Sequence, residues 1–232
     1  MRLAASPVRR LLAAMAGTLL LLSAPSARAG FQSDVTVRLI APGGIQGNST
    51  PINEQQVVAV ADLATGLQAG ASGGAITNTW MLANEEVTFV GNAIHVRSYA
   101  GYDDATGIYT GYLGSGGAHA RYEFDGLSIA GQTIVGFSVY AFDGYLTSGF
   151  SGLASPAAAS LAHLIDADTV SLDLDSILFA DRGTGTSNAH ADFRIDLITR
   201  DNGNNGGTLP EPATLALLAI AALGAGAARR RG

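Results

Sequence analysis

Apolar and polar positions alternate along much of the middle of this chain, in short runs separated by Gly, Asn, Asp and Ser. Val35, Val37 and Leu39 alternate with Thr36 and Arg38, and the same pattern or a β-rich run recurs at 122–124, 134–142, 170–174 and 193–197. Successive side chains on a strand point to opposite faces, so each run reads as a half-buried strand. The runs at 170–174 and 193–197 place acids on one face and aliphatics on the other. Several such strands with turns between them predict a mainly β protein, a β-sandwich of jelly-roll or Ig-like type with at most one or two short helices. Helical spacing is found in two places. Ser155-Pro156 is suited to start a short helix that carries Leu161, Leu164 and Ile165 on one side. Residues 55–67 place Val60, Leu63 and Leu67 at helical intervals but begin with β-branched residues, which leaves both conformations open.

Composition narrows the class. Of 232 residues 30 are Gly, 14% are charged and none is Cys, which disfavours a coiled coil or a charged helical bundle and suits a turn-rich β fold. Every one of the 13 basic residues is Arg, and seven lie near the termini. Residues 30–209 retain six Arg against 18 carboxylates, a formal charge of -12. Such a domain repels phosphate backbones and anionic lipids, so nucleic acid is not an expected partner.

The ends follow a different pattern. Arg2, Arg9 and Arg10 precede the apolar run 11–22, which is followed by SAPSARA. A run of 12 residues is too short to span a hydrocarbon core of about 30 Å, and the small residues Ala27 and Ala29 suit signal peptidase. Residues 1–29 therefore read as a secretory signal peptide, with the mature chain beginning at Gly30. Without Cys the exported fold rests on its hydrophobic core.

At the other end Pro210, Glu211 and Pro212 precede 16 uncharged, almost wholly apolar residues and then Arg229, Arg230 and Arg231. As a helix those 16 residues would reach only about 24 Å, short for a span unless Arg side chains snorkel to the interface. The Arg cluster places the terminus on the cytoplasmic side and the preceding domain outside. This order of triplet, apolar segment and basic terminus resembles the PEP-CTERM sorting signal of exported bacterial proteins that are processed by a membrane-embedded exosortase. The resemblance implies a Gram-negative envelope, transient anchoring in the inner membrane, cleavage near the triplet, and delivery to the cell surface or extracellular matrix. It also implies a role in exopolysaccharide-rich matrix, biofilm or floc. A sortase signal of the form Leu-Pro-x-Thr-Gly fits less well, because Pro212 and Ala213 stand where Thr and Gly are required. The expected organisation is thus signal peptide 1–29, β-sandwich 30–200, polar linker 201–209 and sorting signal with a short transmembrane helix 210–232.

Candidate chemistry is sparse. Gly70-Ala71-Ser72-Gly73-Gly74 fits GxSxG, but it lacks the strand before and the helix after that a nucleophile elbow needs. His95, His119, His163 and His190 form no close-spaced metal set. The acid pairs Asp103 with Asp104, Asp166 with Asp168 and Asp173 with Asp175 offer oxygens to calcium, but solvated strand faces and turns account for them better. All seven Tyr fall between positions 99 and 145, and aromatic faces backed by polar groups suit neutral sugar rings. The expectation is a non-enzymatic structural or adhesive protein without a resident cofactor. Its partners would be signal peptidase and exosortase during export, then exopolysaccharide or other matrix proteins. The alternative is a secreted polysaccharide- or ester-hydrolysing enzyme or a carbohydrate-binding module.

Overall fold

The alternating runs pair as strands in a computed structural model that describes residues 30–202, less 71–75, 143–151, 182, 184 and 188. The strands in chain order are β1 (Val35–Ala41), β2 (Ile52–Val58), β3 (Leu67–Ala69), β4 (Ile76–Asn78) and β5 (Glu86–Val90). Then follow β6 (Ala93–Tyr99), β7 (Tyr102–Asp104), β8 (Gly107–Tyr109), β9 (Arg121–Asp125) and β10 (Gln132–Phe142). The last are β11 (Leu153–Ser155), β12 (Ala162–Leu164), β13 (Val170–Asp173), β14 (Leu178–Phe179) and β15 (His190–Asp201). They form a five-stranded sheet in the order β12-β13-β9-β1-β2, a six-stranded sheet β10-β15-β6-β5-β3-β4, and a small sheet β11-β14-β8-β7. All named pairings are antiparallel except β3 with β4.

The two larger sheets pack face to face as a β-sandwich. Val35, Val37 and Leu39 of β1, Tyr122 and Phe124 of β9, and Val170 and Leu172 of β13 are buried from one side. Val87 and Phe89 of β5, Ile94 and Val96 of β6, and Phe193, Ile195 and Leu197 of β15 are buried from the other. Phe89 meets Phe124 edge-on across the sandwich with ring centroids 6.1 Å apart, and meets Phe31 in the same way at 5.7 Å. Such ring pairs add about 0.5–1.5 kcal/mol each beyond the area they bury.

Two local features orient the six-stranded sheet. The register between β10 and β15 shifts between Ile134 and Gly136. With one extra residue in the bulge, Ile134 and Phe137 both turn to the core, and Ser138, Tyr140 and Phe142 fall on the outer face. Ahead of β5, the Glu85 N–H donates to the Leu82 carbonyl at 3.1 Å and Asn84 has φ 70°. That is a type II turn with Asn at the position that requires positive φ. It delivers Glu85 in phase with the inward-facing Val87 and Phe89.

The helix expected after Ser155-Pro156 is corrected, and the open segment 55–67 resolves to strands joined by a 3-10 turn. Residues 155–165 form a three-residue 3-10 turn (Ala158–Ser160) and then β12, which pairs Ala162 with Leu172 of β13. Leu161 is buried as expected, whereas Ile165 is exposed. Residues 55–67 end β2, pass through a 3-10 turn (Val60–Asp62) and enter β3. Pairing with neighbouring strands outweighs local helical spacing in each case. The tail of β15 extends through Asp201, and the Asn202 N–H donates to Gly131 at 3.0 Å, so the first two residues of the expected linker are held by the sheet.

Candidate functional site

Two polar clusters lie on opposite faces of the six-stranded sheet. The inner one centres on Glu85, which is fully buried between the sheets. Its Oε2 accepts from the Tyr122 hydroxyl at 2.6 Å, the Tyr112 hydroxyl at 2.9 Å and the Leu82 N–H at 3.1 Å. Its Oε1 accepts from the Ser98 hydroxyl and the Tyr99 N–H, each at 3.3 Å. These donors come from β6, β9, the turn before β5 and the chain after β8, so one carboxyl joins four parts of the core. No ion pair among the described residues involves it. Burial without a counter-charge raises the Glu85 pKa, and the hydrogen bonds from Tyr122, Tyr112, Tyr99 and Leu82 counter that only in part. Tyr112 and Tyr122 are pushed well above the usual phenol range, first by burial and then by the adjacent Glu85 charge. All of these groups are turned inward, which makes the cluster a structural centre.

The outer cluster is open to solvent. Strand register places Glu86, Arg97, Asp192 and Phe142 side by side in one row across β5, β6, β15 and β10, with Thr88, His95, Arg194 and Tyr140 in the next. A cleft of about 190 Å³ lies over these rows, lined by Glu86, Thr88, His95, Arg97, Phe142 and Asp192, with Val96 and Phe193 beneath. Asp192 holds the Arg97 guanidinium through two hydrogen bonds, Nε to Oδ1 at 2.7 Å and Nη2 to Oδ2 at 3.3 Å. Glu86 stands 3.9 Å from Nη1, close enough for ion pairing and too far for a hydrogen bond. The Arg97 pKa is raised chiefly by its bond to Asp192. Partial burial lowers the His95 pKa, as does the Arg194 charge, so the ring is neutral at pH 7. Arg194 pairs with Asp196 at 3.0 Å and lies over the Tyr140 ring at 5.0 Å from its centroid. The rings of Tyr140 and Phe142 remain 50% and 40% exposed.

The residues flagged in the sequence are dispersed over the fold. Tyr112 and Tyr122 belong to the buried Glu85 centre, Tyr99 stacks on His190 with centroids 5.0 Å apart, and Tyr102 pairs with Tyr109 across β7 and β8. The Tyr-rich stretch is therefore not one platform, because alternation sends its members to different faces; Tyr140 stands opposite Arg194 beside the cleft and Tyr145 lies outside the described residues. The acid pairs act as turns and ion pairs. Asp104 accepts from the Thr106 N–H and hydroxyl at 2.7 and 2.5 Å, which lowers its pKa, and Asp168 N–H donates to Asp166. Asp173 is buried against His163 at 3.0 Å and is not the solvated strand acid expected, while Asp175 meets His119 at 2.9 Å. Asp103, Asp104 and Asp181 line a second, more open cleft of about 520 Å³, but no group of three or more metal-ligating side chains occurs among the described residues. Ser72, Ala27, Ala29, Pro210, Glu211, Pro212, Arg229, Arg230 and Arg231 lie outside the described residues, and Gly30 is the first residue within them. Among the described residues no helix is long and apolar enough to cross a membrane, and the apolar segment 213–228 is not among them.

Glu85 and the Arg97–Asp192 pair were missed in the sequence. For Glu85 a signal existed: it shares the period-two face of Val87 and Phe89, which are buried. The Arg97–Asp192 pair depends on register between strands distant in sequence, and no local pattern announces it.

Comparison with known proteins identifies the C-terminal element. Residues 208–231 match the family model of the PEP-CTERM protein-sorting motif. No match to the chain is found among curated proteins or among solved structures.

Proposed function

We propose that this chain, which carries a PEP-CTERM sorting motif and is thereby marked for export and exosortase processing, serves as a non-catalytic adhesive or structural protein in the exopolysaccharide-rich matrix of a Gram-negative bacterium. The sorting motif carries this reading, because it directs the folded domain to the cell surface. The signal peptide pattern of residues 1–29 agrees with that direction of transport. An acidic sandwich suits a surface role in two ways: net charge keeps it soluble, and it repels other polyanions unless a cation bridges them. The buried acid Glu85 fits a structural use, since its donors all come from the surrounding core and it is closed to solvent.

Cell fractionation tests the reading. The wild-type chain is expected at the surface or in the matrix, whereas Glu211→Ala, or loss of Arg229 to Arg231, leaves uncleaved protein in the inner membrane. Surface delivery unaffected by either change would contradict exosortase sorting. Release of reducing ends from matrix polysaccharide by the purified protein would favour the hydrolase alternative.

A further inference from the structure

The outer cleft has the lining of a ligand site, and its charge pattern restricts the ligand. In the two rows Glu86 and Asp192 balance Arg97 and Arg194, and Asp196 in the row beyond adds one further negative charge. A polyanion finds no uncompensated cation there, since Asp192 already neutralises Arg97 and Asp196 pairs with Arg194. A metal ion would have to sit beside the Arg97 guanidinium, which stands between Glu86 and Asp192. A purely apolar ligand would bury the Glu86 and Arg97 polar groups without partners. What satisfies the remaining chemistry is a neutral molecule with many hydroxyls and an apolar C–H face.

We propose that the cleft over β5, β6, β15 and β10 binds a neutral glycan, one sugar ring lying against Phe142 with its hydroxyls bonded by Arg97, Glu86 and Thr88. Two of the five guanidinium N–H groups of Arg97 are used by Asp192, which fixes the plane of the fork and leaves donors directed at the cleft. Glu86, one-third exposed, supplies an acceptor beside those donors. A donor and an acceptor side by side are what two neighbouring sugar hydroxyls require. Neutral His95 and the Thr88 hydroxyl, in the second row, each both donate and accept. Tyr140, two residues from Phe142 on the same outer face of β10, adds a second exposed ring beside the cleft; Arg194 lies over one of its faces and leaves the other for a second sugar unit. At about 190 Å³ the cleft admits a single ring at a time, well below the ~300–1,000 Å³ of pockets that enclose drug-sized ligands. Such a site gives the adhesive role its ligand and rests on that role only for its biological setting.

The test is calorimetric titration of the full chain, purified in a detergent without a sugar headgroup, with cellohexaose, mannohexaose and galactohexaose, and with hexagalacturonate as the acidic comparator. At least one neutral oligosaccharide is expected to bind, unaffected by chelator and little affected by added salt. Phe142→Ala and Tyr140→Ala should each weaken that binding by about tenfold or somewhat less, the worth of one aromatic contact. Tyr109→Ala, in the small sheet, serves as the control and should leave binding unchanged. Cooperative unfolding of the two outer-face aromatic variants well above the titration temperature separates loss of contact from loss of fold. Three results would each overturn the site: no neutral oligosaccharide binds, only the acidic one binds, or neither cleft substitution alters binding. Self-association abolished by Phe142→Ala, in place of sugar binding, would make this face a protein interface and would also overturn it. Binding by a chain that Glu211→Ala retains in the membrane would uphold the cleft whatever becomes of the sorting claim.

Discussion

Glu85 and Asp192 are withdrawn from water to nearly the same degree, 0% and 5% exposed, but one meets only neutral donors and the other meets a guanidinium at the surface. Glu85 turns inward from the residue before β5, and Asp192 turns outward from β15. The difference shows how one sheet separates two uses of a carboxylate. Inside, five donors converge on a single group, and every partner becomes dependent on it. Outside, the carboxylate is committed to positioning one Arg, whose remaining donors face solvent. A polar cluster that uses all its hydrogen-bonding capacity internally stabilises the fold, whereas one with capacity left over at an opening is equipped to bind.

The largest expected effect is at the inner cluster. Glu85→Ala leaves two tyrosine hydroxyls and two backbone N–H groups without this acceptor in the core, and should destabilise the protein by about 3–5 kcal/mol in denaturant unfolding. A loss below about 1 kcal/mol would show that water or a rearranged core replaces the carboxyl. Glu85→Gln, which retains shape and one acceptor, should cost less and permits a test of pH. The raised pKa means that the folded protein holds this proton more tightly than the unfolded chain, whose value is near 4.5. The contribution of Glu85 to stability is therefore greatest below about pH 4.5 and declines as pH rises through the folded value. Wild type should lose ground to Glu85→Gln over that rise, and a constant difference between them would contradict the direction of the shift.

At the outer cluster, Arg97→Met removes the partner of Asp192 and should cost about 1–2 kcal/mol. That is less than the ~3–5 kcal/mol of breaking a fully buried pair, because Arg97 is more than one-third exposed. Phe142→Ala removes a half-exposed ring at the sheet edge and should cost less than about 1 kcal/mol while weakening sugar binding. If both outer changes destabilise as much as Glu85→Ala, the division between a structural interior and a binding exterior fails. The smallest effect concerns the exposed His119–Asp175 pair. Its hydrogen bond to Asp175 raises the His119 pKa, so the pair contributes below about pH 6.5 and fades as pH rises past the folded value. His119→Gln should cost at most about 0.5 kcal/mol, and only on the acid side. Unfolding midpoints at two pH values measure it.

The strands at 35–39, 122–124, 134–142, 170–174 and 193–197 were legible because half-burial imposes a period of two on one strand, whatever its partners. The segments at 55–67 and 155–165 were not, since β2 and β12 exist through pairing with strands that local spacing does not report. The sites divide in the same way. The PEP-CTERM motif at residues 208–231 was readable because a sorting signal acts as contiguous sequence. The cleft was unreadable because Glu86, Arg97, Asp192 and Phe142 come from four strands and meet only through register. Asn84-Glu85-Glu86 resembles a solvated turn, and only its phase with Val87 and Phe89 distinguishes the buried acid from the exposed one.

The proposed matrix role depends on sorting through the PEP-CTERM motif, whereas glycan binding at the cleft does not. Intact mass of the protein recovered from the surface fraction tests that sorting most directly. The account predicts a species that begins at Gly30 and lacks the apolar segment 213–228 with Arg229 to Arg231. A surface species whose mass includes Met1, or extends to residue 232, would contradict it.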